Sequence, residues 1–389
     1  MKTFPAFLSV LLLIAVVSVC NAQRPEVIGY YPSWKWNSRN NLVSPARIPY
    51  DKLTIINYAF FVPSRDGTIS GKDSVGDALY LRCSPSPTIV NLAHEHRVKV
   101  ILSLGGWEDS GNFPVVASTP NLHRSFAHSC VNAIRTYGFD GIDIDWEFPG
   151  YADHNGTPED RRNFTLLLRE VKDSLVAHGN ETGKAFLLTA ALPAGTSHLA
   201  NMEISEISGI LDMLNIMTYD FYGSWDPLAN HNCPLYPSEG ADPSRSVDGA
   251  FTLFHHTLDI PGSKINLGVP FYGHTYTHCV ALNAPHHGAD TVHFSRFGAF
   301  YYDIHRQLAE FTRTWDDRAK VPYLVSAARN ELISYDDTES VRAKAQYVLD
   351  HHARGVIIWE ITGDFLDDGT TPLLDAITGV FTPPGKSGN

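Results

Sequence analysis

Phe139-Asp140-Gly141-Ile142-Asp143-Ile144-Asp145-Trp146-Glu147 reads as a β-strand with two chemically opposite faces. Side chains alternate along an extended chain, so Asp143, Asp145 and Glu147 share one face, and Ile142, Ile144 and Trp146 share the other. The apolar set suits packing against helices. The acidic set must then point the other way, into an enclosed interior. Three carboxylates on one buried face cannot all ionise, so at least one is expected to hold a proton near neutral pH. A solvated strand face or a cation site could also alternate acids, but neither accounts for the Ile and Trp residues opposite.

Seven further apolar, β-rich runs surround this one: Val27–Tyr31, Thr54–Phe61, Val98–Leu104, Phe186–Leu192, Met213–Tyr219, Ile265–Phe271 and Gly355–Trp359. Stretches of helical periodicity separate them, such as Pro158–His178 and Thr338–His352. Alternating strands and helices imply parallel strands joined by crossovers, and eight such units close into an α/β (β/α)8 TIM barrel. The acidic run, on the fourth strand, then climbs towards the C-terminal end, where barrel sites lie. Residues 277–334 are too long for a βα loop and contain strand-like and helix-like pieces of their own. They are expected to form a small α+β insertion before the last strand. The barrel is expected over 23–383, followed by a short polar tail at 384–389 and no appended binding module.

The chain has 389 residues, of which 43% are hydrophobic and 19% charged, an ordinary globular balance. Lys2, the apolar run Phe7–Val19 and Cys20-Asn21-Ala22 resemble a secretory signal peptide over residues 1–22. The expected product is secreted, extracellular and monomeric, with no membrane attachment. Removing Lys2 takes the formal net charge from -12 to -13, which disfavours nucleic acid as a partner. Four cysteines remain after residue 22, Cys83, Cys130, Cys233 and Cys279. In an oxidising compartment they would allow up to two disulfides, in three possible pairings. Asn155, Asn163 and Asn180 are potential glycosylation acceptors, the first weakened by Pro158. The 18 histidines show no zinc-protease spacing, and no metal or other cofactor is expected.

Glycoside cleavage needs an acid of raised pKa to protonate the leaving oxygen. Glu147 ends the acidic run nearest the cleft and fits that role. Asp145, one pleat below, can accept from a substrate amide or share a proton with Glu147, and Asp143 can tune that shared charge. Asp140-x-x-Asp143-x-Asp145-x-Glu147 resembles the D-x-x-D-x-D-x-E signature of family 18 glycoside hydrolases, the chitinases. Ser103-Leu104-Gly105-Gly106-Trp107 is similar to the family's third-strand motif, Met217-Thr218-Tyr219-Asp220 to its sixth, and Gly355–Trp359 to its last.

The resemblance implies hydrolysis of β-1,4-linked N-acetylglucosamine in chitin and chitooligosaccharides. The substrate's acetamido oxygen would be the nucleophile, a recognised exception to the two-carboxylate scheme. Glu147 would serve as acid and then base. Asp145 would hold the acetamido N–H, with Asp143 beneath it, and Tyr219 would orient the carbonyl. Met217 and Asp220 would line the same subsite. Trp34, Trp107, Trp225 and Trp359 fall at or just after strand ends and suit sugar stacking. Tyr30, Phe60, Gly106, Phe148 and Tyr272 are further candidates for the cleft, whereas Trp36 and Trp315 suit structural or rim positions. Two departures from the family pattern are Phe148, where Tyr is usual, and His274, where Arg often follows Tyr-Gly. Two other readings on the same barrel are a chitin-binding lectin-like or signalling protein and an N-glycan-trimming endo-β-N-acetylglucosaminidase. The intact Glu147 weighs against the first. The aromatic row and the insertion weigh against the second.

Overall fold

The computed structural model describes residues 24–36, 38–82, 87–295 and 298–382. The expected signal peptide, Cys83 and the tail at 384–389 lie outside the described residues. Among the described residues, eight strands form the barrel: β1 (Glu26–Pro32), β2 (Ile55–Pro63), β3 (Lys99–Gly105), β4 (Gly141–Asp145), β5 (Leu187–Pro193), β6 (Met213–Met217), β7 (Ile265–Pro270) and β8 (Gly355–Trp359). Each is parallel to its neighbours, and β8 pairs back onto β1 through Glu26–Gly355 to Gly29–Ile358, closing the sheet. This is the (β/α)8 barrel expected from the alternation of runs.

The two faces of the wall form different cores. Outward residues such as Ile142, Ile144 and Trp146 join one large cluster with the surrounding helices. Trp146 stacks on Phe113 at 5.3 Å and meets Phe164 edge-on at 5.4 Å. The helices Pro120–Tyr137 and Asp160–Thr182 flank β4 in sequence, and each ends at a glycine with positive φ, Gly138 and Gly183. A separate cluster of Ile28, Ile55, Ile101, Met213 and Ile357, with Tyr30, Ala59 and Phe60, fills the barrel interior.

Strand ends depart from the sequence expectation where side chains take over the backbone's hydrogen bonds. β4 stops at Asp145, because the next amide but one, that of Glu147, donates to Ser110 Oγ. β6 stops at Met217; Thr218 Oγ1 donates to the carbonyl of Gly268, and the chain then turns at Asp220 with φ 56°.

Between β7 and β8, a five-stranded antiparallel sheet contains Tyr272–Thr277, Ala299–Phe300, Thr312–Asp316, Val321–Ser326 and Glu331–Ser334. The helix Tyr301–Gln307 accompanies it. Tyr272–Thr277 starts two residues after β7, so the sheet rises directly from the mouth of the barrel.

Paired cysteines are not found among the described residues: Cys130, Cys233 and Cys279 are buried free thiols. The fold keeps them apart. Cys130 is in the helix Pro120–Tyr137, within the outer core. Cys233 donates to the Thr218 carbonyl, and Cys279 donates to the Ala281 carbonyl within the core of the inserted sheet. No described helix is long and apolar enough to cross a membrane.

A buried ion pair ties the inserted sheet to the barrel. Lys344, in the helix Thr338–Asp350, meets Asp336 just beyond the last inserted strand, and both side chains are within 2% of full burial. Removing one partner of such a pair strands the other charge, at a cost of about 3–5 kcal/mol. Lys344→Met is therefore expected to lower unfolding stability by about that amount in urea titration, and Lys344→Met with Asp336→Leu to recover much of it. Equal stability for Lys344→Met and the parent protein would show that the pair carries no such load.

Candidate active site

Asp143 is the floor of the site. It lies wholly inside the barrel, and four side chains from four other strands donate to its carboxylate. Tyr30 Oη and Ser103 Oγ reach Oδ2 at 2.8 Å each, while Thr189 Oγ1 and Asn215 Nδ2 reach Oδ1 at 2.5 and 3.1 Å. Asn266 Nδ2 donates to Asn215 Oδ1 at 2.9 Å and so fixes that amide's orientation. Burial pushes the Asp143 carboxyl above the usual carboxylate range, while the four donors pull against it.

One pleat higher, Asp145 is 4% exposed and its Oδ1 has no hydrogen-bond partner within the protein. Burial first, then the charges of Glu147 and Asp143, hold its carboxyl well above the usual range. Glu147 is half-buried just past the strand end. Burial, then the charge of Asp220, pushes its carboxyl up to about 8. Both carboxyls are thus pushed towards the protonated form, the direction the shared acidic face implies.

The wall contributed by β6 and the inserted sheet carries Tyr219 and Asp220. Burial and four nearby carboxyls, Asp145 foremost, keep the Tyr219 phenol well above its ordinary value, so it remains a hydrogen-bond donor. Asp220 Oδ1 accepts from Tyr272 Oη and from His274 Nε2, both at 2.7 Å. A Cβ on Gly268 would lie 2.7 Å from the Thr218 nitrogen and 2.8 Å from the Tyr219 ring, so only glycine lets this loop sit where it does.

Rings line the mouth. Trp359 stacks on Phe60 at 5.6 Å, Phe60 on Trp34 at 6.0 Å, and Tyr30 meets Trp359 edge-on at 5.6 Å. Met217 packs on the same cluster. Phe60 and Tyr30 are buried and back the more open Trp34 and Trp359. Gly106 lies against Phe60, with φ 87°. Trp107 and Trp225 stand out from the fold, 49% and 61% exposed. Trp107 contacts Phe148 at 6.4 Å, and Trp225 contacts His274 at 5.1 Å. Tyr30 and Tyr272, named above as candidates for the cleft, are both buried, with hydroxyls engaged by Asp143 and Asp220. Three peptide bonds in this region are cis: Ala59–Phe60 within β2, Glu147–Phe148 just past β4 and Trp359–Glu360 at the end of β8.

Sequence reasoning missed Thr189 and Asn215, although polar residues at inward positions of two apolar strands were a usable signal. It also missed Ser110 and His154, which hold the Glu147 backbone from loops and carry no pattern of their own.

A model of the glycosyl hydrolases family 18 matches residues 26–364. Chitinase A1 of Niallia circulans is 34% identical across 93% of this chain, which spans 61% of that protein's length. Among solved structures, a family 18 N-acetylglucosaminidase from Paenibacillus barengoltzii superposes with a TM-score of 0.78 at 31% identity, covering 92% of this chain and 99% of its own. A mutant of catalytic domain 2 of the Ostrinia furnacalis Group II chitinase, in complex with penta-N-acetylchitooctaose, gives 0.82 at 26% identity, covering 92% and 96%. The matched span runs from β1 past β8 and contains the whole acidic row, and the chain belongs to glycosyl hydrolases family 18.

Proposed function

We propose that the protein is a secreted chitinase that hydrolyses β-1,4-N-acetylglucosamine linkages in chitin and chitooligosaccharides, retaining configuration through substrate assistance. The observation that carries this is the pairing of a protonatable Glu147 with an Asp145 oxygen that has no partner in the protein. Glu147 protonates the glycosidic oxygen as the bond to the anomeric carbon breaks. The acetamido oxygen of the same sugar forms the new bond to that carbon, giving an oxazolinium ion. Asp145 takes the acetamido N–H with its free oxygen and balances the positive charge, and the Tyr219 hydroxyl orients the carbonyl. Glu147, now ionised, removes a proton from the water that opens the ring. Asp220, in the turn after β6, is the acid from another segment whose charge reaches Glu147. Tyr272 and His274 both bind its Oδ1, which suits an orienting role better than nucleophilic attack. The secretory leader read at residues 1–22, the row of rings and the chitinases among the relatives support the substrate and the destination.

Glu147→Gln keeps the shape and removes the proton, so hydrolysis of chitin oligomers is expected to fall by at least roughly 10²–10⁴-fold with binding retained. A variant with half the parent activity would remove Glu147 from the mechanism. Proton NMR of fresh product is expected to show the β anomer first. Initial α anomer, or efficient cleavage beside a fully deacetylated reacting sugar, would refute substrate assistance.

The raised carboxyl also links stability to pH. Below the ordinary Glu value of 4.5, folded and unfolded chains both hold the proton and the contribution is complete. Between there and about 8 the folded protein binds more protons than the unfolded chain, so stability is lost as pH rises. Glu147→Gln removes that titration. Its melting temperature relative to the parent is expected to climb between pH 5 and pH 8, and a constant difference across scanning calorimetry runs would contradict the assignment.

A further inference from the structure

Glu147 sits where the strand ladder has ended, so its own peptide groups have no neighbouring strand to bond. Two loop side chains replace the ladder. Ser110, fully buried, accepts the Glu147 N–H at 2.9 Å and donates its own proton to the Gly106 carbonyl. His154 Nδ1 lies 2.5 Å from the Glu147 carbonyl oxygen. A carbonyl can only accept, so Nδ1 carries the hydrogen. The imidazole is also held by rings: its centroid is 4.7 Å from Trp107 and 5.1 Å from Tyr151, edge-on to both. Trp107 in turn leaves half its surface exposed.

We propose that His154 is a positioning residue for Glu147, and that its ring transmits the occupancy of Trp107 to the acid. This rests on the assignment of Glu147 as general acid and adds a specificity rule to it. A sugar stacked on Trp107 confines the indole, the indole confines the imidazole, and the imidazole fixes the peptide from which the acid projects. Binding energy from a remote sugar is thereby spent on orientation at the reacting bond, which raises kcat more than it lowers KM.

The test is steady-state kinetics on chitin oligomers of two to six sugars, with Glu147→Gln, His154→Phe, His154→Asn and Trp107→Ala beside the parent protein. His154→Phe keeps the ring contacts but cannot donate; kcat is expected to drop by up to about 10²-fold, the cost of a small misplacement, with KM within about threefold. His154→Asn restores a donor without the ring. It is expected to recover most of kcat on short oligomers but to lose the rise of kcat with oligomer length, as Trp107→Ala does. Parent kcat in His154→Phe would overturn the proposal, as would a length dependence that persists in His154→Asn or is absent from the parent. If His154→Phe fails to fold, His154→Asn decides alone: persistence of the length effect refutes the transmission and its loss supports it. Full activity in Glu147→Gln would instead strike at the general-acid assignment itself.

Discussion

The structure depends on one buried carboxylate. Asp143 is enclosed on all sides, and a charge there is tolerable only with dense hydrogen bonding. Tyr30, Ser103, Thr189 and Asn215 supply it, each from a different strand. Those four bonds cross-brace the barrel interior and determine which polar residues the inward faces must carry. They also place a partly charged group directly beneath Asp145, so that Asp145 and Glu147 cannot both ionise readily. The acid chemistry at the mouth follows from a packing problem solved at the floor.

The architecture was legible because it is written in local periods. Eight short runs alternated with helical stretches, and the row Asp143, Asp145, Glu147 announced which way one strand faced. Such signals survive without knowledge of tertiary contacts. What stayed hidden was whatever depends on two distant segments meeting. His154 is seven residues from the acid it holds, and Ser110 is 37 residues away; neither lies in a periodic pattern. The hydroxyl partners of the tyrosines stayed hidden for a related reason. At a strand end Tyr30 looks like a stacking ring, but the buried Asp143 claims its hydroxyl. The even count of cysteines misled too, because parity says nothing of where the thiols sit. The three that are described occupy separate places and serve as small buried side chains.

The insertion is joined to the catalytic wall rather than hung from it. Asn232 shows how: Oδ1 accepts the Asp220 amide, Nδ2 donates to the Tyr272 carbonyl, and its own amide donates to Ser334 Oγ. One buried residue thus connects the loop bearing Tyr219 and Asp220 with two strands of the inserted sheet. Together with Lys344 and Asp336, this makes the sheet part of the frame that holds the β6 side of the cleft.

The inner lining also has a direction. Ile28, Ile55, Ile101, Met213 and Ile357, each at most 3% exposed, form an apolar layer on the N-terminal side of Asp143. Ile28, Ile101 and Met213 each lie two residues before Tyr30, Ser103 and Asn215, three of the donors to Asp143. The row is thus backed by apolar side chains at one end and shows its most exposed member, Glu147, at the other.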